Sequence, residues 1–132
     1  AFRLSARALD ATTLEIRFDV ADGYYLYRDK LKFAVEPAAA GAGVPVLPPG
    51  KVIEDEFFGR VATYRGPVVI RLPLAAGQPG GSVSLEVDSQ GCADAGVCYP
   101  PQQQRLTLPL PPAGAAPSAP VDASPPKKSY FN

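Results

Sequence analysis

Hydrophobic and polar residues alternate along much of this chain. The clearest segment places four apolar residues on one side and three charged residues on the other: Leu14, Ile16, Phe18 and Val20 against Glu15, Arg17 and Asp19. A period of two predicts a strand with one buried face. Similar or more fully apolar segments, each predicted to be a strand, lie at 2–4, 31–35, 61–63, 68–72, 83–87 and 106–110.

No stretch shows the apolar stripe of a helix, which repeats about every 3.6 residues. The chain instead carries 12 Gly and 16 Pro in 132 residues, and these residues interrupt it with turns. Seven or more short strands with such turns predict an all-β fold, an immunoglobulin-like β-sandwich. There is no Trp, and the two cysteines are too close in sequence to bridge two sheets. The disulfide and Trp core of antibody domains is therefore not expected.

The composition changes from Pro109 onward, where Pro, Ala and Ser become dominant. We predict an immunoglobulin-like domain over 1–110, a size that suits one core. We predict a Pro/Ala-rich linker or disordered tail over 111–132. The chain does not begin with Met and carries no charged-then-apolar leader, which is consistent with a mature exported chain.

Charge and composition exclude several functions. Lys and Arg total 13 and Asp and Glu total 13, so no excess charge favours nucleic acid or a membrane surface. There is no His, which excludes imidazole bases and His-containing metal sites. Two thiols alone make a poor zinc site, and we expect neither a metal nor another cofactor. No apolar run approaches the roughly 20 residues that span a bilayer, so we expect no membrane contact by this domain itself.

Both cysteines lie in the run 90–101, which reads QGCADAGVCYPP. The sulfurs of Cys92 and Cys98 can meet at the neck of a tight loop, where either the dithiol or the disulfide can form with little backbone movement. A disulfide that closes so short a loop stabilises the fold by only about 2.4 kcal/mol. Because this stabilisation is small, reversible thiol–disulfide exchange is another explanation for the cysteine pair. The spacing alone favours a local structural disulfide.

Two further segments are richer in aromatic residues and charges than packing requires: 23–28 (GYYLYR) and 54–59 (EDEFFG). In the first, Tyr25 and Tyr27 share one face of a predicted strand. We expect one face of this strand to lie in the core and the other to be exposed. Amphipathic core packing explains these tyrosines as well as a functional role does.

The second segment puts two carboxylates before two aromatic rings. A ring of Phe57 or Phe58 lying over the cysteine pair would shield the thiols and open for a partner. Asp55 and Glu56 could accept or return a proton as a thiol becomes a thiolate, although their charge would also raise the thiol pKa. A solvated acidic turn is the plainer interpretation, and the sequence alone favours it.

The segments 23–28, 55–59 and 91–101, in this order and at these separations, resemble the N-terminal periplasmic domain of the DsbD family of thiol:disulfide interchange proteins. The resemblance is carried chiefly by the long string GCADAGVCYPP, and Phe58 stands where the best-known member has a tyrosine. It implies an immunoglobulin-like redox domain in the periplasm. Such a domain is the soluble N-terminal part of an inner-membrane protein of a Gram-negative bacterium and acts as a protein-disulfide reductase.

The resemblance also implies roles for individual residues. Cys92 and Cys98 are the redox pair, in which Cys98 forms mixed disulfides with partners and Cys92 resolves them. Phe57 is the ring that caps the pair. Four more residues are implied in proton transfer or in support of the site: Asp55, Glu56, Tyr25 and Tyr27.

By the same resemblance, electrons reach this domain from the C-terminal thioredoxin-like domain of the same protein. They leave it for periplasmic DsbC-like and DsbG-like isomerases and for a cytochrome c maturation thioredoxin-like protein. The tail over 111–132 then serves as a tether. Two alternatives remain open: a structural or adhesive immunoglobulin-like module with an inert local disulfide, and a small-molecule binding module that uses Tyr25, Tyr27 and Phe57.

Overall fold

The structure is a computed structural model and describes residues 1–123. Over these residues the chain forms eleven β-strands and two single-turn 3-10 helices. No helix in this part of the chain is long and apolar enough to cross a membrane. The elements are β1 (Phe2–Asp10), β2 (Thr13–Val20), β3 (Tyr24–Tyr27), a 3-10 helix (Arg28–Lys30), β4 (Lys32–Glu36), a second 3-10 helix (Ala38–Ala40), β5 (Lys51–Asp55), β6 (Gly59–Tyr64), β7 (Gly66–Pro73), β8 (Ser82–Ser89), β9 (Gly91–Ala93), β10 (Gln102–Pro109) and β11 (Val121–Asp122).

The strands pair antiparallel and form three sheets. The first sheet has the order β11-β1-β2-β7, the second β10-β8-β4 and the third β5-β6-β3-β9. In the first sheet Ile16 of β2 lies opposite Ala6 of β1 and Ile70 of β7. Because side chains alternate along each strand, this register puts the apolar positions of three neighbouring strands on one face.

The first two sheets pack around one hydrophobic core. Ile16, Ile70 and Leu85 are fully buried and come from β2, β7 and β8, so both sheets contribute to the core. The core continues through Leu108 of β10 and Leu26 of β3. The fold is an all-β, immunoglobulin-like β-sandwich, and the prediction from the alternating pattern is confirmed.

Strand β1 is longer than the pattern at 2–4 indicates. It runs to Asp10, with Leu4, Ala6 and Ala8 in the core. Alanine is a weak apolar signal beside Leu or Ile, so the inward face of β1 is hard to recognise from hydrophobicity alone. A long strand therefore looks short in the sequence.

The third sheet carries a smaller core on the side of β3 away from the main one. Leu26 belongs to the main core, whereas Tyr25 and Tyr27 form a separate cluster with Cys92. The alternation along β3 is as expected, but the expectation that only one of its faces is buried is wrong. The tyrosine face is covered by three partly buried side chains from β5, β6 and the cysteine loop: Ile53, Val61 and Cys98.

The chain after residue 110 returns to the edge of the first sheet, where β11 pairs with β1. Ahead of β11, the N–H of Ser118 donates to the Ala8 carbonyl (2.9 Å) and its Oγ accepts a hydrogen bond from the Ala8 N–H (3.0 Å). The domain boundary at residue 110 stays a prediction, but residues 118–122 lie against the sandwich. The stretch 124–132 of the predicted tail lies outside the described residues.

Candidate active site

The disulfide closes a hairpin that begins with β9. Cys92 lies opposite Cys98 in an antiparallel bridge, with Cα atoms 3.9 Å apart. Two backbone hydrogen bonds close the turn, from the Ala93 N–H to the Val97 carbonyl (2.7 Å) and from the Gly96 N–H to the Ala93 carbonyl (3.0 Å). Gly96 has φ +98°, a conformation that favours glycine. The cysteine pair is therefore held by one local hairpin.

The two cysteines differ in exposure. Cys92 is 0% exposed, whereas Cys98 is partly exposed. The backbone beside the buried Cys92 is tightly packed and has no room for a side chain at Gly91. A Cβ there would lie 2.5 Å from the Tyr25 carbonyl oxygen and 2.6 Å from the Phe2 ring. The buried side of the pair is therefore closely packed, and the exposed part of the pair lies at Cys98.

Two tyrosine hydroxyls and one carboxylate lie beside the disulfide. Tyr25 and Tyr27 each donate a hydrogen bond of 2.7 Å to Oδ2 of Asp55. The Tyr27 oxygen also lies 2.9 Å from the Cys92 sulfur and 3.7 Å from the Cys98 sulfur. Because the Tyr27 proton points to the carboxylate and a disulfide sulfur carries no hydrogen, the oxygen and the sulfurs are in close contact without a hydrogen bond while the disulfide is closed. The structure thus brings both cysteines, both tyrosines and Asp55 into one group.

Asp55 is buried and ionised. The residue is 7% exposed, and its Oδ1 accepts the backbone N–H groups of Phe57 (2.7 Å) and Phe58 (2.9 Å). Burial disfavours the charge, but hydrogen bonds from the two tyrosines and the two N–H groups outweigh burial and lower the pKa of Asp55 to about 2. At neutral pH Asp55 is therefore a carboxylate when the disulfide is closed.

The same surroundings keep the tyrosines protonated. Burial, followed by the hydrogen bond to the Asp55 carboxylate, raises the pKa of both Tyr25 and Tyr27 above its ordinary value. Within residues 1–123 no buried side-chain nitrogen or oxygen lacks a hydrogen-bond partner. The buried polar atoms of Tyr25, Tyr27 and Asp55 therefore all have hydrogen-bond partners. A buried polar network stabilises the fold only when all its members are paired in this way.

Of the two neighbouring phenylalanines, Phe58 makes the ring contact with the tyrosine group. Its ring meets the Tyr27 ring edge-on with centroids 5.0 Å apart, and the Lys30 ammonium lies 4.7 Å from its centroid. Phe57 is 58% exposed, and its role as the cap stays a prediction. Glu56 is also exposed, and no hydrogen bond or ion pair to a residue in 1–123 involves its carboxylate. Its role in proton transfer likewise stays a prediction.

Aromatic rings support the hairpin from the end of the sandwich. Phe2 of β1 packs edge-on against Tyr24 (centroids 5.7 Å apart) and Tyr99 (6.0 Å). The Tyr99 N–H donates to the Gly91 carbonyl at 3.0 Å. The hairpin is therefore held between the tyrosine and aspartate group on one side and the first strand of the sandwich on the other.

Sequence reasoning missed two contacts that surround the site. Lys30, in the 3-10 helix after β3, lies over Phe58. Arg65, directly after β6, forms an ion pair with Asp94 in the turn between the cysteines. Each contact joins residues far apart in the chain, and the sequence carries no local signal for such pairs.

The fold and the site define a β-sandwich domain with a cysteine pair suited to thiol–disulfide exchange, in which one cysteine is buried beside a polar group and the other is partly exposed. Residues 1–110 match the family model described as thiol:disulfide interchange protein DsbD, N-terminal. The chain belongs to this family, and the resemblance seen in the sequence is confirmed.

Curated relatives show the same similarity. The thiol:disulfide interchange protein DsbD of Ralstonia nicotianae is 45% identical over 126 residues, which are 94% of this chain and 20% of that protein. DsbD 2 of Pseudomonas aeruginosa is 44% identical over 120 residues, which are 90% of this chain and 18% of that protein. The chain spans about a fifth of the length of these relatives.

Two solved structures share the fold. The N-terminal domain of Neisseria meningitidis DsbD in its reduced form matches with a TM-score of 0.76 and 30% identity, over 92% of this chain and 90% of that chain. The N-terminal domain of Neisseria meningitidis DsbD in complex with the N-terminal domain of PilB matches with a TM-score of 0.69 and 33% identity, over 89% and 88% of the two chains. The sandwich seen here is therefore that of the DsbD N-terminal domain.

Proposed function

We propose that this domain relays electrons as the protein-disulfide reductase module of a thiol:disulfide interchange protein. It accepts two electrons from a C-terminal thioredoxin-like domain of the same protein. It then reduces periplasmic DsbC-like and DsbG-like isomerases and a cytochrome c maturation thioredoxin-like protein. The observation that carries the proposal is the asymmetry of the pair: Cys98 is partly exposed, whereas Cys92 is fully buried beside the Tyr27 hydroxyl.

Loading begins when a thiolate of the reduced donor attacks the accessible sulfur of Cys98. The Cys92–Cys98 bond breaks, a donor–Cys98 disulfide forms, and Cys92 leaves as a thiolate that takes up a proton. The second donor thiol then attacks the donor sulfur of the mixed disulfide and releases Cys98. The donor is oxidised to a disulfide, and this domain holds two thiols.

Discharge runs the same exchange in the other direction. The Cys98 thiolate attacks the disulfide of an oxidised partner, which forms a mixed disulfide and frees one partner thiolate. Cys92 then attacks the Cys98 sulfur, closes the internal disulfide and releases the second partner thiol. Because the two cysteines are opposite each other in one hairpin, the resolving step needs little movement of the backbone.

Tyr27 and Asp55 support the buried sulfur in this scheme. When Cys92 leaves as a thiolate, the Tyr27 hydroxyl at 2.9 Å can turn its proton from Asp55 to the sulfur and stabilise the new charge. Because its pKa is low, Asp55 is ionised at neutral pH and has no proton to give to a sulfur. Its carboxylate instead accepts hydrogen bonds from the two tyrosine hydroxyls and orients them. Tyr25 donates the second hydrogen bond to Oδ2 of Asp55 and so helps to stabilise the negative charge there.

Phe57 and Phe58 have different roles in covering the site. Phe58 anchors the turn through its contact with Tyr27, and Phe57, which is largely exposed, is the ring that swings over the sulfurs and away from them. A cap of this kind shields the thiols until a partner displaces it. We assign the cap to Phe57 on the family resemblance.

The relatives support the proposal. The Neisseria domain exists in a reduced form and in a complex with the N-terminal domain of PilB, as expected if this kind of domain exchanges disulfides with other proteins. The relatives are thiol:disulfide interchange proteins several times longer than this chain. We place the domain in the periplasm, as the soluble N-terminal part of an inner-membrane protein of a Gram-negative bacterium.

Single cysteine variants test the relay with an oxidised DsbC-like isomerase as the acceptor. Cys92→Ser lacks the resolving thiol and should accumulate a covalent complex with the isomerase, seen as a shifted band on a non-reducing gel. Cys98→Ser should give no such complex, because its remaining thiol is buried. Equal complex formation by both variants, or unchanged reduction of the isomerase by either, would overturn the proposal.

The reduction potential of the pair separates a relay from an inert staple. The exchange-active cysteine pairs of oxidoreductases lie between about −270 and −120 mV, whereas structural disulfides lie below about −300 mV. We expect the wild-type chain, equilibrated in defined thiol buffers with mass-tagging of free thiols, to fall in the upper range. A value in the lower range would assign the disulfide a purely structural role.

A further inference from the structure

An ion pair joins the turn of the cysteine hairpin to the residue that follows β6. Asp94 lies in the turn between Cys92 and Cys98, and Arg65 directly follows β6. The guanidinium meets the carboxylate in two hydrogen bonds, 2.9 Å from Nη1 to Oδ2 and 2.6 Å from Nη2 to Oδ1. Both side chains are partly exposed, and a bidentate fork is the geometry in which an exposed pair contributes measurably.

Arg65 makes two further contacts with β3. Its Nη1 also donates to the Tyr24 carbonyl at 3.3 Å, and its guanidinium carbon lies 5.3 Å from the centroid of the Tyr25 ring. Asp94 is anchored in turn, since its backbone N–H donates to the Gly23 carbonyl at 2.8 Å. Arg65 therefore connects the hairpin turn to the strand that carries the site tyrosines.

We propose that Arg65 is a positioning residue for the redox pair: through Asp94 it holds the hairpin closed and favours the disulfide over the dithiol. The proposal rests on the proposed function and deepens it, because it concerns the potential at which the same pair exchanges electrons. Arg65 acts on the loop that carries the sulfurs, as its contacts are with Asp94 and with β3.

The disulfide and the ion pair restrain the same short loop. Each of them closes the hairpin and reduces the conformational entropy of the loop. When one has formed, the other therefore forms at a smaller entropy cost. Two restraints that favour one conformation favour each other by the same factor. After reduction the covalent restraint is gone, and the ion pair forms at a greater cost in entropy. Loss of the ion pair therefore destabilises the disulfide more than the dithiol.

The test is the equilibrium in which the disulfide and two reduced glutathione molecules give the dithiol and one oxidised glutathione. It is measured on the whole chain in defined glutathione buffers, with free thiols counted by mass-tagging. We expect Arg65→Gln and Asp94→Asn each to lower the equilibrium constant for disulfide formation about threefold, which raises the reduction potential by ~14 mV at about 30 mV per tenfold change. The double variant should shift the potential by less than the sum of the two single variants, since either substitution alone already removes the ion pair.

A second cross-strand ion pair provides the matched control. Arg105 of β10 lies directly opposite Glu86 of β8, with a hydrogen bond of 2.8 Å. Arg105→Gln removes a comparable exposed pair from a sheet that does not carry the cysteines, and it should leave the potential unchanged. Circular dichroism of each variant establishes that the fold is kept.

Two results would overturn the positioning role: equilibrium constants of both single variants within about 1.3-fold of the wild type, or an equal shift in Arg105→Gln. If one single variant does not fold, the other still tests the same pair. The measurement needs no partner protein, so it is independent of the relay. A chain that shows the shift but does not reduce partners refutes the relay alone, and normal reduction without the shift refutes the positioning role alone.

Discussion

The main sandwich core and the small cluster at the disulfide bury their side chains in different ways. The sandwich core consists of apolar side chains, such as those of Phe18, Ile70 and Leu85. The cluster buries hydroxyl groups, a carboxylate and sulfur atoms among aromatic rings. The first is stable because apolar area leaves water. The second is stable only while each polar group keeps its partner.

This difference separates stability from reactivity. An apolar core responds to a substitution with a loss of stability that follows the volume removed. The cluster can also respond with a change of charge, of hydrogen bonding or of the S–S bond itself. We therefore expect substitutions in the sandwich to change the free energy of unfolding alone, and substitutions in the cluster to change redox or pH behaviour at a smaller cost in stability.

The largest effect on stability is expected from Ile70→Ala in β7. Ile70 is fully buried between the sheets, and the cavity left by the substitution should lower the free energy of unfolding by about 4 kcal/mol. The reduction potential of the folded variant should stay within about 5 mV of the wild type. Urea unfolding and thiol-buffer titration measure the two quantities.

Ile70→Val is the matched control, with an expected loss of about 1 kcal/mol and the same unchanged potential. A shift of the potential that grows with the volume removed would show that the two regions are coupled after all.

Asp55→Asn should have the next largest effect, and its size should depend on pH. The folded-state pKa of Asp55 is lowered to about 2, whereas in an unfolded chain it is about 3.9. The charge therefore stabilises the fold by roughly 2–3 kcal/mol above about pH 5, and this contribution is lost as the pH falls through about 2. The difference between wild type and variant, from urea unfolding at several pH values, should shrink accordingly.

Glu56→Gln is the control for the Asp55 prediction, because Glu56 lies in the same turn but is exposed. At neutral pH it should leave the free energy of unfolding within about 0.5 kcal/mol of the wild type. If Glu56→Gln lost as much stability as Asp55→Asn, the pairing of Asp55 with the tyrosines would not explain the effect.

Phe58→Ala should have a smaller effect on stability. It removes the ring contact with Tyr27 and the ammonium contact with Lys30, each of which contributes about 1 kcal/mol or less at a partly exposed site. Lys30→Gln removes the ammonium contact alone and should cost less. Thermal unfolding of both variants checks the order, which is contradicted if Lys30→Gln costs as much as Phe58→Ala.

Phe57→Ala should leave stability unchanged within about 0.5 kcal/mol, because the ring is largely exposed. If Phe57 caps the pair, the variant should be reduced several times faster by dithiothreitol, as followed by quenching and mass-tagging. Val69→Ala, an exposed apolar residue on β7, serves as the control and should not change the rate. An unchanged rate for Phe57→Ala would remove Phe57 from the shielding role.

Local patterns in the sequence predict the regular parts of this molecule well. Strands β2, β8 and β10 combine strong alternation with large apolar residues, and the structure places them in the sandwich. Strand β5 is short and mostly exposed, and alanines hide the inward face of β1, so neither gives a clear hydrophobic period. The pairing of β11 with β1 lies in a Pro-rich segment where no strand is expected.

The site follows the same division. Its cysteines, tyrosines and aspartate stand in contiguous strings that the family resemblance identifies. The contacts of Arg65 with Asp94 and of Lys30 with Phe58 join positions 29 and 28 residues apart. Such pairs depend on which strands become neighbours and in which register, and a single sequence does not reveal this.

The pairing of β11 with β1 bears on solubility. A strand at the edge of a sheet presents unpaired N–H and C=O groups, which can recruit a strand from another molecule and start aggregation. The segment that contains Ser118 and β11 covers this edge of β1. A chain cut at residue 110, where the family match ends, would expose the edge and should self-associate more readily than one that keeps residues 111–123.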